Sequence, residues 1–265
     1  MPATIDPTAK TYDAFLGGAV YVHQPERGRH RAGLDAVFLA AALPDGVSGD
    51  VMDLGSGVGT AGLCAAARLS EISVTLVDID QLILDLARDN LKDPGNATFA
   101  GRVRILDADI TAKGDVRHAA GLLPDMTDHV IMNPPYYGAD KFRASPDAAR
   151  AEAHMLDERG LDPWIRTASD VLKPGGTLTI VFRADGLPEI LETLKGRFGA
   201  IQVLPLFPHP GAAATRILVR AVRGSKAPMQ LLPGVTLHAS AGGTYTDLAE
   251  SVLRHGKGLN LFKNG

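Results

Sequence analysis

Short apolar, β-branched stretches recur along the chain, separated by segments whose apolar positions return every three or four residues. The stretches predict strands at Asp50–Leu54, Ser73–Val77, Val103–Leu106, His129–Asn133, Thr177–Phe182, Ile201–Phe207 and Thr215–Val222. Between them, Gly59–Leu69 carries Leu63, Ala66 and Ala67 on one helical stripe, and Gln81–Leu91 carries Leu82, Leu86 and Ala87. Helices are also expected over Ala36–Ala42, about Pro163–Leu172, Leu187–Phe198 and near Thr246–Arg254, with a turn at Lys173-Pro174-Gly175-Gly176. Alternation of this kind predicts an α/β, doubly wound, Rossmann-like sheet, mostly parallel, with helices on both faces. Only His209-Pro210-Gly211 and three alanines separate the last two strands, so those should form a C-terminal antiparallel hairpin. Pro233–Gly243 reads as loop and short strand. With no repeat or low-complexity linker, one domain is expected over 1–265: an N-terminal extension to 45, a core at 46–222 and a C-terminal extension from 223.

The most informative stretch is Val51-Met52-Asp53-Leu54-Gly55-Ser56-Gly57-Val58-Gly59-Thr60, an apolar strand running into alternating glycines and then a helix. Glycines belong where backbone turns tightly and approaches a ligand. A dinucleotide fingerprint counted from Gly55 fails at Thr60, and Asp53 would repel a pyrophosphate. An acid there suits a ligand carrying positive charge, such as S-adenosylmethionine. Asp78, at the end of the second strand, stands where an acid accepts ribose hydroxyls, and Asp109 follows the third strand. Asp80 is expected to be solvated or to cap the Gln81 helix, and Cys64 to be a buried small hydrophobe.

The fourth strand ends in Asn133-Pro134-Pro135-Tyr136. Two prolines stop the ladder and fix a rigid turn. The Asn133 side-chain oxygen and the Pro134 carbonyl can accept the two hydrogens of a planar NH2, stabilising charge that grows on the nitrogen during attack. Tyr136 can stack on a flat target. No metal is needed for that chemistry.

The Asp-x-Gly-x-Gly-x-Gly loop resembles the first motif of class I methyltransferases, and Asn133 to Tyr136 resembles the motif of amino methyltransferases acting on adenine N6, guanine N2 or a glutamine amide. Arg31, Gly33, Leu34 and Asp35 ahead of an apolar helix are similar to a segment of bacterial tRNA adenine-N6 methyltransferases, those that modify adenine 37 of a valine tRNA, with Leu34 where that family has threonine. Tyr137, Gly138, the segment Ala151 to Met155 and the helix containing Trp164 continue the resemblance, which covers roughly residues 19 to 255. It implies S-adenosylmethionine as cofactor, held by Asp53, Gly55, Gly57 and Gly59 at its methionine end, by Asp78 at the ribose and by Asp109 at the adenine. It implies Asn133, Pro134, Pro135 and Tyr136 as the catalytic turn, and tRNA as partner. Asp35 would sit near the methionine end or orient the turn, or else cap the Ala36–Ala42 helix. The rival readings are a release-factor glutamine methyltransferase, an rRNA amino methyltransferase and a non-catalytic RNA-binding module.

Composition adds less. The chain has 265 residues, 45% hydrophobic and 22% charged, with a net charge of −3, an ordinary globular balance. A single cysteine excludes a disulfide framework and a Cys-rich zinc site. The longest apolar run, Ala36 to Leu43, is too short to cross a bilayer, and a cytoplasmic location is expected. Charge is unevenly placed: from Thr193 to Gly265 nine cations face Asp247 and Glu250, a net +7, which leaves −10 on residues 1–192. That stretch, with Arg27, Arg29 and Arg31, predicts two basic patches flanking the Asn133 turn, and Arg29, Arg31, Lys141, Arg143 and Arg216 are candidate RNA contacts.

Overall fold

The computed structural model describes residues 10–26, 32–135 and 160–260. Two strands, β1 (Lys10–Phe15) and β2 (Val20–Pro25), pair into an antiparallel hairpin. The main sheet is built on β3 (Gly49–Leu54), flanked by β4 (Ile72–Asp78) and β6 (Thr127–Met132), both parallel to it. Next to β4 runs β5 (Val103–Asp107), and next to β6 runs β7 (Leu172–Arg183). Then β9 (Arg216–Arg223) and β8 (Phe198–Phe207) form the expected reversed hairpin, giving the order β8-β9-β7-β6-β3-β4-β5. Two short strands, β10 (Gln230–Leu231) and β11 (Val235–Thr236), pair with β8.

Helices α1 (Leu34–Ala41), α2 (Thr60–Arg68), α3 (Gln81–Lys92) and α8 (Asp247–His255) cover one face. The other face carries α6 (Asp162–Val171) and α7 (Leu187–Leu194). Short helices α4 (Ala97–Ala100) and α5 (Gly114–Ala119) bracket β5. Each face has its own core because alternate residues of β3 point to opposite sides: Val51 joins the α1–α2 core, Met52 and Leu54 the α6–α7 core.

Several boundaries differ from expectation for local reasons. The Lys173–Gly176 turn lies inside β7 as an irregularity, with Gly175 at φ +80 and a register shift opposite Thr127 and His129. Helix α7 stops at Leu194 instead of Phe198, ahead of Gly196 at φ +78. Strand β8 begins early, at Phe198, because Phe198 and Gly199 already pair with Arg223 and Val222 ahead of an irregularity between Gly199 and Gln202. The N-terminal extension carries the β1–β2 hairpin, which the strand pattern did not indicate. Asparagines tie it to α3 and the turn that follows. Asn90 accepts from the His23 N–H at 2.7 Å and donates to the Val58 carbonyl at 3.1 Å, and Asn96 accepts from Tyr21 N–H at 2.9 Å.

Candidate functional site

β3 and β6 end level with each other, Leu54 beside Met132, so the glycine loop and the Asn133 turn leave the carboxyl edge of the sheet from adjacent strands. Crevices at this edge are where open α/β sheets bind ligands. Gly55, Gly57 and Gly59 all have left-handed backbone, at φ +69, +57 and +92. A methyl group on Gly55 would lie 2.5 Å from the ring of Trp164, and one on Gly59 would lie 2.6 Å from Leu76. At Gly57 nothing stands within 4 Å of that position, so the loop presents open backbone there. The amide groups of Gly55 and Ser56 both donate to the Val77 carbonyl at 2.9 Å, which fastens the loop to β4.

Asp53 is 2% exposed and accepts from the Gly62 N–H of α2 at 2.9 Å. Burial pushes its carboxyl up to about 7, the Gly62 bond opposing and the charge of Asp78 adding to the rise. Asp78 accepts from the N–H groups of Gly57 at 2.9 Å, Ile79 at 2.8 Å and Asp80 at 3.1 Å. Burial also raises its pKa, against the pull of those three bonds. Asp109 accepts from both the N–H and the hydroxyl of Thr111, at 2.7 Å each. Asp80 caps α3 through Leu82 N–H at 3.0 Å, and Cys64 is fully buried with its thiol pushed up to about 12 by burial.

On the other side of the turn, Pro134 is buried, Asn133 half-buried and Pro135 exposed. Asp35 lies in the first turn of α1 rather than capping it: Gly33 occupies the cap, and the Asp35 carboxylate accepts from Arg216 Nε at 3.0 Å. Tyr136, Tyr137, Gly138, Arg27, Arg29, Arg31, Lys141, Arg143, Lys263 and the segment 151–155 lie outside the described residues. The basic C-terminal stretch is answered in space by acids from earlier in the chain. Arg197 pairs with Asp162 at 3.0 Å, Arg216 with Asp35 and Arg223 with Asp125, while Arg254 pairs with Glu250 at 2.8 Å. Arg220 is buried at 6% exposure. Part of the linear excess of charge is therefore paired locally, while Lys195, Lys226 and Lys257 stand exposed.

Sequence reasoning gave no role to the indole of Trp164, whose ring wedges against Gly55. Its Nε1–H and the Thr60 hydroxyl are buried with no hydrogen-bond partner among the described residues. Such orphans are costly unless a ligand or water satisfies them. The open backbone at Gly57, those two orphan groups, the buried Asp53 and the half-buried Asp78 make a set that fits a cationic cofactor carrying hydroxyls. The signal that could have found Trp164 is that it is the sole tryptophan, in the first turn of α6. Among the described residues no cluster of three or more His, Cys, Asp or Glu could hold a metal ion, and no helix is long and apolar enough to cross a membrane.

Sheet order, reversed hairpin and glycine loop together define a Rossmann-like methyltransferase. The model of the family described as Methyltransferase small domain matches residues 31–205, and the chain belongs to that family. A solved structure described as a predicted O-methyltransferase, protein Atu636 from Agrobacterium tumefaciens, is 34% identical, with a TM-score of 0.71 over 82% of this chain and 94% of that one. The tRNA1(Val) (adenine(37)-N6)-methyltransferase of Bacteroides fragilis is 26% identical over 71% of this chain and 76% of its own length. The release factor glutamine methyltransferase of Chlorobaculum tepidum is 25% identical over 73% of this chain and 65% of its own length. The chain is an S-adenosylmethionine-dependent methyltransferase.

Proposed function

We propose that the protein methylates an exocyclic amine, adenine N6 of a tRNA, in the cytoplasm. The observation that carries this reading is the Asn133-Pro134-Pro135 turn at the end of β6, beside the glycine loop on β3. Asn133 accepts one amine hydrogen through its side chain and Pro134 the other through its carbonyl, which aims the nitrogen lone pair away from the turn. The rigid prolines hold both acceptors in place before charge develops, so little reorganisation is needed during attack. Tyr136 stacks on the base. When bound, S-adenosylmethionine supplies a methyl made electrophilic by its sulfonium. Asp53, Gly55, Gly57 and Gly59 would hold its methionine end, Asp78 its ribose hydroxyls and Asp109 its adenine amino group. The nitrogen attacks the methyl carbon as the neutral amine, the methyl–sulfur bond breaks, and the extra proton on nitrogen leaves to solvent after transfer, so no strong base is required.

Support for tRNA comes from the Bacteroides fragilis relative, and a rival reading from the Chlorobaculum tepidum one, since a glutamine amide presents the same planar NH2. The test incubates the protein with methyl-labelled cofactor and a mixture of unmodified tRNA, rRNA and release factor. Label in tRNA is expected. Label confined to the release factor, to rRNA or to a hydroxyl group overturns the proposal.

A further inference from the structure

Beyond Asn133 in the sheet order stand β7 and β9, and their register sets Arg183, the last residue of β7, directly opposite Arg216, the first of β9. Cross-strand partners point to one face of the sheet, with Cβ atoms about 4.5–5.5 Å apart, and like charges so placed destabilise the pair. Two arginine side chains therefore leave the same face at the carboxyl edge of the sheet, where the neighbouring strand delivers the Asn133 turn. Met132 of β6 pairs with Ile180, so Arg183 stands three residues, about 10 Å, further along β7.

Each guanidinium rests against a carboxylate and is partly exposed. Asp185 grips Arg183 through both Nε and Nη2, and Arg216 donates from Nε to Asp35 at 3.0 Å and from Nη1 to the Thr215 carbonyl at 3.2 Å. The side chains of Arg183 and Arg216 are 27% and 32% exposed. A carboxylate on one edge fixes the plane of the fork, and a fixed fork suits bidentate contact with a phosphate. The cleft is also divided by charge. Asp53 and Asp78 line the β3–β4 half, which suits a sulfonium, and the arginines line the β7–β9 half, which suits an anion.

We infer that Arg183 and Arg216 form a clamp for a backbone phosphate of the acceptor nucleotide, placing its base against the Asn133 turn. This rests on the proposed RNA substrate and deepens it: a nucleotide brings a phosphodiester beside the reacting base, whereas a glutamine side chain brings no anion. Asp35 is then a positioning residue, holding Arg216 in the plane the phosphate meets.

The test compares wild type, R183Q and R216Q for binding of unmodified tRNA over a series of salt concentrations, with cofactor affinity and thermal midpoint measured alongside. Each variant should lose about one unit from the slope of log K against log salt. Each should raise KM for tRNA about tenfold and leave cofactor affinity within twofold. A salt slope and KM equal to wild type in folded R183Q overturn the clamp. R183Q is the decisive variant if R216Q does not fold, because its acid partner Asp185 is 64% exposed and is not left buried and unpaired. If wild type methylates tRNA and R183Q is indistinguishable, only the clamp falls. If wild type neither binds nor methylates RNA, the proposed substrate falls and takes the clamp with it.

Discussion

The two halves of the cleft are built in different ways. On the β3–β4 side, ligand-facing structure is mostly backbone: three left-handed glycines, amides fastened to Val77, and carboxylates satisfied by nearby N–H groups. On the β6–β7–β9 side it is mostly side chain, contributed by positions far apart in the chain, such as Asp35 and Arg216, joined 181 residues apart. A backbone cradle tolerates few changes, because an added methyl collides with Trp164 at Gly55 and with Leu76 at Gly59, and all three glycines hold left-handed backbone. A side-chain surface can be altered without disturbing the fold, and this is where members of one family can differ in what they methylate.

The sharpest break of this contrast is Asn133→Ala. Turnover should fall about a thousandfold, the scale of losing a preorganised stabilising group, while cofactor affinity stays within twofold. Parallel loss of both, read by single-turnover kinetics and calorimetric titration, would put Asn133 in the cofactor half. Next in size is Gly55→Ala, which combines φ +69 with contact at 2.5 Å from the Trp164 ring. It should cost about 1–3 kcal/mol of stability, measured by denaturant unfolding, and weaken cofactor binding. A neutral result would show that the loop has room to move.

The buried acid gives a smaller, pH-dependent effect. The unfolded chain loses the Asp53 proton near the ordinary carboxylate value of 3.8, the folded chain only near 7. The folded state therefore binds the extra proton between those values, and stability falls as pH rises through them. Asp53→Asn should flatten that decline in thermal melts recorded across the range. A cationic ligand nearby favours the charged carboxylate, so cofactor binding near pH 7 should release protons, seen as buffer-dependent calorimetric enthalpies that vanish in the variant. The smallest effect is optical. Trp164 is the only tryptophan, so saturating cofactor should change intrinsic fluorescence, and unchanged emission would remove the indole from the cofactor half.

The same contrast explains what was legible in the sequence. The glycine loop, Asp78 and the Asn133 turn are contiguous motifs at strand ends, and local rules of turn and strand suffice to read them. The reversed hairpin was legible because Pro210 and Gly211 leave no room for a crossover helix. Pairing of Arg183 with Arg216 was not, because register between β7 and β9 is fixed by side-chain packing on both faces. The β1–β2 hairpin escaped because it leans on Asn90 and Asn96, polar contacts that hydrophobic periodicity does not register. Charge summed along the chain does not register such pairings: Arg197, Arg216 and Arg223 find Asp162, Asp35 and Asp125, distant in sequence and adjacent in space.

Reaction type and substrate meet in the modified nucleoside itself. Unmodified tRNA incubated with the protein and S-adenosylmethionine, then digested to nucleosides and examined by mass spectrometry, should contain N6-methyladenosine with wild type and none with Asn133→Ala. A methylated ribose, or N6-methyladenosine formed equally well by both proteins, would contradict the role assigned to the Asn133 turn, and a methylated guanine would contradict adenine as the acceptor.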